Sequence, residues 1–326
     1  MALVATALWG FTFLGPAAVA PVDNYCLVVG RYTVFGLMSL VVLLTRRSNL
    51  RSLDTRQLLT AVHLGVVGYI GFYLLLTMSA EAGGSVLAST MTGLIPLMVT
   101  VVSNLLEKVL AWRQLVPAVA VISAGLLLAP SGGPDRAAGA GNHTSGAVLG
   151  AMASGAWTYF VIVNCRSLDR ARTAVDGATW TACIGLGAWA GSMCLLPLAL
   201  ESGRTALFAN TNTLWKFLGW CVAFAVLGSW GAAWFWNRAS SRLPATVMGP
   251  VTGMEAVFGA AFNLLWDRRV PTAGELWGGL LVIAGVVLAS HLFNRAGLLR
   301  TLDAAPALNA SAAPSSAAAA GRRTSA

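Results

Sequence analysis

The sequence predicts an all-α integral membrane protein with ten transmembrane helices, arranged as two inverted-topology five-helix repeats. Three observations lead there. The 326 residues are 57% hydrophobic and only 10% charged, where a soluble domain carries about 25% charged residues. The apolar residues fall in successive blocks, most of them near the ~20 residues that a helix needs to cross a bilayer. The second half of the chain also repeats landmarks of the first at a fixed distance.

The blocks are 1–20, 25–45, 58–80, 83–106, 114–130, 146–165, 177–200, 214–236, 243–266 and 276–293. They are long and continuously apolar, unlike the short alternating strands of an outer-membrane barrel. The first block ends in Ala18-Val19-Ala20, but no Lys or Arg precedes it and Pro21 follows, so a retained helix is expected rather than a cleaved signal. The first repeat takes 1–130, a Gly- and Ala-rich linker takes 131–145, and the second repeat takes 146–294. Residues 295–326 are rich in Ala, Ser and Pro and are expected to form a disordered cytoplasmic tail.

Charge sets the orientation. With the amino terminus in the cytoplasm, the outer connections hold only Arg136, Arg204, Lys216, Arg268 and Arg269. The inner side gathers the remaining Lys and Arg, apart from Arg31, which lies within the second block. This asymmetry predicts cytoplasmic termini and a multi-pass protein of the inner (plasma) membrane. It also explains the net charge of +9 without nucleic acid, because no basic cluster is interleaved with aromatics.

Sliding the chain by 160 residues brings Gly68 onto Gly228, Gly71 onto Gly231, and Thr92-Gly93 onto Thr252-Gly253. It also brings Glu107-Lys108 onto Asp267-Arg268 and Ala124-Gly125 onto Ala284-Gly285. A shorter shift matches Leu8-Trp9 with Ala156-Trp157. Five spans per copy is an odd number, so the second copy enters the membrane upside down, as in many secondary transporters.

Several chemistries are excluded. Cys26, Cys165, Cys183, Cys194 and Cys221 form no CxxC, and His63, His143 and His291 stand apart, so no disulfide framework, metal or other cofactor is expected. No phosphate-binding loop of the Walker type is present, and no nucleophile–base set suggests an enzyme. The sequon Asn142-His143-Thr144 falls on the expected outer side.

Glu255 is the residue that most demands a reason. It sits midway along an apolar block, where an acid costs roughly 2.5–3.5 kcal/mol on insertion scales. It should therefore face the bundle interior, as a cavity-lining carboxylate or as a fixed tie between helices. Proton coupling is a further reading of the same residue. Arg31 lies about two turns inside its block; it either snorkels, recognises an anion or pairs with Glu255. Trp230, Trp234 and Asn237 follow four-then-three spacing and would form one helical stripe, lining a cavity or packing on neighbours. Trp9, Trp157 and Tyr73 are weaker candidates of the same kind. Ser85, Ser89, Thr92 and Pro96, and Gly249, Thr252, Ala256 and Gly259, form small-residue stripes suited to close packing or to a mobile seam. Glu107, Asp267 and His63 read as structural, and Trp215, Trp220, Trp266 and Trp277 as an interfacial belt.

The order of motifs resembles the ten-helix EamA-type members of the drug/metabolite transporter superfamily. "ALWGFTFLGP" is similar to the family's first helix, "VVGRYTVFGLMSL" to its second, and "TMTGLIPLMVTVVSNLLEKV" to its fourth. "AVISAGLLL" and "LVIAGVVLA" resemble the two closing helices, and "RASSRLPATVMGPVTGMEAVFGAAFNLLWDRRV" the ninth with its approach. The chain has Glu255-Ala256 where the family often has Glu-Pro, and Asp267 where it has Glu. The resemblance implies secondary-active transport, by alternating access around a midplane cavity, of small organic metabolites such as amino acids or drug-like amines. Export would be the direction, and the protein a monomer or homodimer whose partners are a small-molecule substrate and the lipid bilayer. A transporter-fold protein with another role, a lipid scramblase or membrane sensor, is the alternative.

Overall fold

The computed structural model describes residues 1–83, 88, 91–128, 143–170 and 176–312, without the side chains of 83, 143, 170, 202–205 and 297–312. Among them the chain is helical, with no strand. We number the helices α1 (Ala2–Val19), α2 (Asn24–Thr45), α3 (Thr55–Ala82), α4 (Ile95–Glu107), α5 (Trp112–Leu128) and α6 (Thr144–Asp169). They continue with α7 (Gly177–Met193), α8 (Leu196–Phe208), α9 (Thr211–Ser240), α10 (Ala245–Thr252), α11 (Met254–Asp267) and α12 (Ala273–Ala296).

Among the described residues, α1, α2, α3, α6, α9 and α12 are long and apolar enough to cross a membrane, and α4 and α5 are shorter apolar helices. The remaining expected spans are divided. Block 177–200 breaks at Cys194 and resumes with Pro197 in the first turn of α8, and block 243–266 breaks at Gly253, just after Pro250. Proline supplies no N–H to the preceding turn, so both breaks lie where the ladder is already short of a donor. Block 83–106 is helical at Ala88, Met91 and Thr92, turns at Gly93 and Leu94, and resumes at Ile95 with Pro96 in the first turn. The last helix runs on to Ala312, beyond Arg295, where the sequence suggested a disordered tail. Ser85, Ser89, Asn142 and most of the linker 131–145 lie outside the described residues.

The burial pattern is that of a protein solvated by hydrocarbon. Large apolar side chains such as Leu59, Val41, Val287 and Leu265 stand exposed, while Asn104, Asn164, Asn237, Thr181 and Ser229 are buried. Polar side chains turned inward avoid lipid and bond across helices.

Positions 160 residues apart share backbone peculiarities. Two π-helical segments, Val66–Gly71 in α3 and Phe224–Gly231 in α9, end on glycines separated by that number. Helices α4 and α11 both end in a left-handed residue, Lys108 (φ 49°) and Arg268 (φ 52°). Non-glycine residues take this conformation reluctantly, yet here it stops both helices. After Lys108 the turn is closed by Asn104, whose amide donates to the Leu110 carbonyl and accepts from the Leu110 N–H. After Arg268 it is closed by Arg269, whose guanidinium forms a two-pronged pair with Glu275.

The contacts between α5 and α12 are reciprocal. A Cβ on Gly125 would lie 2.7 Å from the Gly278 carbonyl oxygen and the Val282 amide. One on Gly285 would lie 2.9 Å from the Ile122 amide and 3.3 Å from the Ala118 carbonyl oxygen. The residues meeting on the two sides are again 160 apart, the pattern of a contact with two-fold character. Trp9 and Trp157, matched by the shorter shift, meet each other directly with ring centroids 5.2 Å apart.

Candidate functional site

Helices α1, α2, α3, α6, α9 and α11 bring the candidate residues together. The approach of α1 to α11 depends on small residues: a Cβ on Gly10 would lie 2.7 Å from the Gly259 amide and 3.0 Å from the Glu255 carbonyl oxygen. Phe13 in turn covers Gly259. The break at Gly253 places Glu255 in the first turn of α11. A carboxylate is stabilised there by the positive end of the helix dipole, so the discontinuity also makes a seat for charge. Glu255 is half-buried and no hydrogen bond or ion pair ties it to another described residue.

Arg31 reaches from α2 to the π-helical segment of α9. Its Nε donates to Ser229 Oγ at 2.7 Å and one Nη donates to the Gly228 carbonyl at 2.9 Å. Its guanidinium carbon stands 5.3 Å from the Tyr32 ring centroid. Gly228 permits this approach, because a Cβ there would collide with the Thr12 methyl and crowd the guanidinium. Arg31 and Glu255 do not bond; both lie against α1, Arg31 with Gly228 beside Thr12 and the Glu255 backbone beside Gly10.

Beside them lies a buried aromatic cluster. Trp9 contacts Trp157 at 5.2 Å and Trp236 at 5.1 Å between centroids, and Trp157 contacts Phe72, Phe160 and Tyr69. Tyr69 continues to Tyr32 and Phe35. The Nε1 of Trp9, the Nε1 of Trp236 and the hydroxyl of Tyr69 are buried without a hydrogen-bond partner among the described residues.

Trp230, Trp234 and Asn237 have different surroundings. Trp230 belongs to the π-helical segment, where each hydrogen-bonded turn takes one more residue than in an α-helix. The helical pitch changes just after Trp230, while Trp234 and Asn237 share the α-helical part of α9. Trp230 packs edge-on against Phe35 and borders an outward-facing groove of ≈ 420 Å³ lined by Val34, Leu37, Met38, Val41 and Val42. Trp234 packs on Phe235 and lies under the Arg238 guanidinium. Asn237 is buried in a network: it donates to Thr181 Oγ1, accepts from Asn164 Nδ2, and Asn164 Oδ1 accepts from Trp180 Nε1, all at 2.9 Å. Asn237 thus ties α6, α7 and α9 together. Trp236, which the sequence reading passed over, is the α9 indole that reaches the cluster.

The other candidates divide. Trp9 and Trp157 lie at the centre, while Tyr73 is half-buried at its edge. Thr252 is buried and bonds back to the Gly249 carbonyl of its own helix, and Thr92 is half-buried beside the start of α4. Ser89 lies outside the described residues. Gly249 packs on Val99 and Thr100, so the small stripe of α10 serves close packing. Glu107 accepts from Thr246 Oγ1, and His63 is exposed with its ring edge-on to Tyr159. At the far end of α2, Asp176 caps α7 and pairs with Arg46 at 2.8 Å. Burial alone would raise its pKa; bonds from the Thr179 hydroxyl and amide and from Arg46 outweigh this and hold it below the usual aspartate value.

Known proteins resemble the chain over nearly its whole length. The EamA-like transporter family matches residues 1–129 and 144–291. The inner membrane protein YtfF of Escherichia coli (strain K12) is 30% identical over 308 residues, covering 88% of this chain and 93% of its own. A biotin transporter of Salmonella typhimurium is 26% identical over 300 residues, covering 90% and 91%. A solved crystal structure superposes with a TM-score of 0.69 at 17% identity, over 90% of this chain and 96% of its own, and shows the fold. With both halves matched, the chain belongs to the EamA-like transporter family, within the drug/metabolite transporter superfamily, and is a membrane transporter.

Proposed function

We propose that the protein is a secondary-active exporter of small organic metabolites, working by alternating access between two inverted five-span repeats with both termini in the cytoplasm. The observation that carries this reading is an aromatic cluster drawn from both halves of the chain, with Arg31 and the unbonded Glu255 each placed against α1 beside it. Two opposite charges without an ion-pair partner inside a bilayer are costly. A solute bearing a cationic and an acceptor group satisfies both, and indole and phenol walls suit its flat apolar body. The reciprocal contacts at Gly125 and Gly285, and the paired π-helical segments, support an arrangement in which one repeat rocks against the other. Relatives named biotin transporters support a small organic cargo, and biotin is the first solute to try. Glu255 is also the group through which proton coupling would act.

The test is solute flux in proteoliposomes. Saturable flux that a second solute competes, lost in Glu255→Gln, is the expected result. Lipid flip that solute does not affect would point instead to a scramblase. Accessibility labelling that placed the two chain ends on opposite sides would overturn the inverted-repeat arrangement.

A further inference from the structure

We infer that the aromatic cluster of α1, α3, α6 and α9 is an acceptor-reading subsite: it takes a flat solute whose carbonyl or carboxylate oxygens receive the N–H groups of Trp9 and Trp236 and the O–H of Tyr69. This rests on the transport reading above and narrows the cargo to solutes that present such oxygens.

The three polar atoms have no partner among the described residues, and their residues are 3%, 0% and 3% exposed. They belong to one run of ring contacts, from Trp236 to Trp9 (5.1 Å), to Trp157 (5.2 Å), to Tyr69 (6.1 Å). An indole N–H can only donate, and a phenol hydroxyl always has one proton to give. A buried donor without an acceptor is unfavourable, and native proteins seldom leave several together. Small hydroxyls such as Ser39, Ser103 and Thr158 are also without partners, but such groups can turn back to a carbonyl of their own helix. Neither an indole N–H nor a phenol at the tip of its ring has that escape. Trp189 is likewise without a partner, yet it packs on Gly36, where α2 meets α7, outside the run.

Trp180 supplies the contrast. Its indole is structural, and the fold gives it an acceptor, Asn164 Oδ1, at 2.9 Å. The cluster receives no such provision. Its neighbour Arg31 adds further N–H groups beyond the two bonded to Ser229 and Gly228. The rings close on one another in the conformation described, so the solute enters as they part. Cyclic amides, ureides and aromatic carboxylates fit this chemistry; a plain amine or hydrocarbon does not.

The experiment uses the full chain in nanodiscs and measures thermal unfolding with benzamide, benzoate and benzimidazolone. Indane and benzylamine serve as oxygen-free counterparts. Tyr69→Phe removes one oxygen and keeps the ring. The expected result is stabilisation of the wild type by at least one oxygen-bearing probe and by neither counterpart. Tyr69→Phe should raise the probe-free midpoint and weaken that probe about five- to tenfold. Three results would overturn the inference: no stabilisation by any oxygen-bearing probe, equal stabilisation by indane or benzylamine, or a Tyr69→Phe chain with lower probe-free midpoint and unchanged affinity. Flux that depends on Glu255 and Arg31 but shows no preference for oxygen-bearing solutes would sink this inference and leave the transport reading standing. Absence of flux would sink the transport reading itself.

Discussion

The π-helical segments Val66–Gly71 and Phe224–Gly231 end on glycines 160 residues apart, but their surroundings differ in kind. In α3, Gly68 faces the Phe160 ring, which a Cβ there would meet at 2.6 Å. In α9, Gly228 and Ser229 receive the Arg31 guanidinium. One backbone device is sealed with an apolar ring and the other is engaged by a cation. A π-helical turn loosens the i→i−4 ladder, and a loosened carbonyl is what a guanidinium can use. The difference teaches that the halves share a scaffold while the charge chemistry has been concentrated where α2 meets α9.

The comparison can be broken at its apolar side first. Phe160→Ala empties a site with 1% exposure and should lower stability by about 3–5 kcal/mol. Flux per folded molecule, normalised to protein that elutes as a single species, should fall less than in Arg31→Met, because Phe160 borders the cluster through Tyr69 and Trp157 but offers no polar group. Arg31→Met should behave in the opposite sense. Loss of its two hydrogen bonds should lower stability by about 1–3 kcal/mol, while flux falls by tenfold or more. A variant set in which Phe160→Ala stopped transport and Arg31→Met did not would reverse the assignment.

A subtler pair sharpens it. Gly228→Ala drives a methyl into Thr12 and against Arg31, and overpacking of this kind costs about 1–3 kcal/mol. Gly71→Ala meets nothing closer than the Val66 carbonyl at 3.6 Å and should change the unfolding midpoint by little, within about 0.5 kcal/mol. The smallest effect is expected at Asp176, outside the spans. Its pKa is lowered on folding, so its contribution is present above its unfolded value and is lost as pH falls through the folded one. The pair with Arg46 is partly solvated, which limits it to a few tenths of a kcal/mol. Thermal midpoints of wild type and Asp176→Asn should therefore differ slightly at pH 7 and converge below about pH 4.

Much of the fold was legible because a bilayer leaves few choices: apolar blocks must be helical, and buried acids must face inward. Glu255 and Arg31 were singled out on that argument; Glu255 lies in the first turn of α11 and Arg31 bonds to α9. The breaks at Cys194 and Gly253 were only hinted at by Pro197 and Pro250. The π-helical segments could not be read from composition, although the matched pairs Gly68/Gly228 and Gly71/Gly231 marked their positions. Trp234, Trp236 and Asn237 all lie in the α-helical part of α9 that follows the π-helical segment. Trp236 rather than Trp234 faces Trp9, and Asn237 joins Asn164 and Thr181. Tyr69, which the sequence reading did not single out, lies inside the other π-helical segment.

The most direct test of the central claim is exchange flux in proteoliposomes, using a labelled solute chosen by thermal stabilisation. Wild type, Glu255→Gln, Arg31→Met and Asn237→Leu are compared at equal folded protein. The account predicts that the first two substitutions remove saturable exchange, while Asn237→Leu loses stability but still exchanges. Exchange undiminished in both Glu255→Gln and Arg31→Met would contradict it.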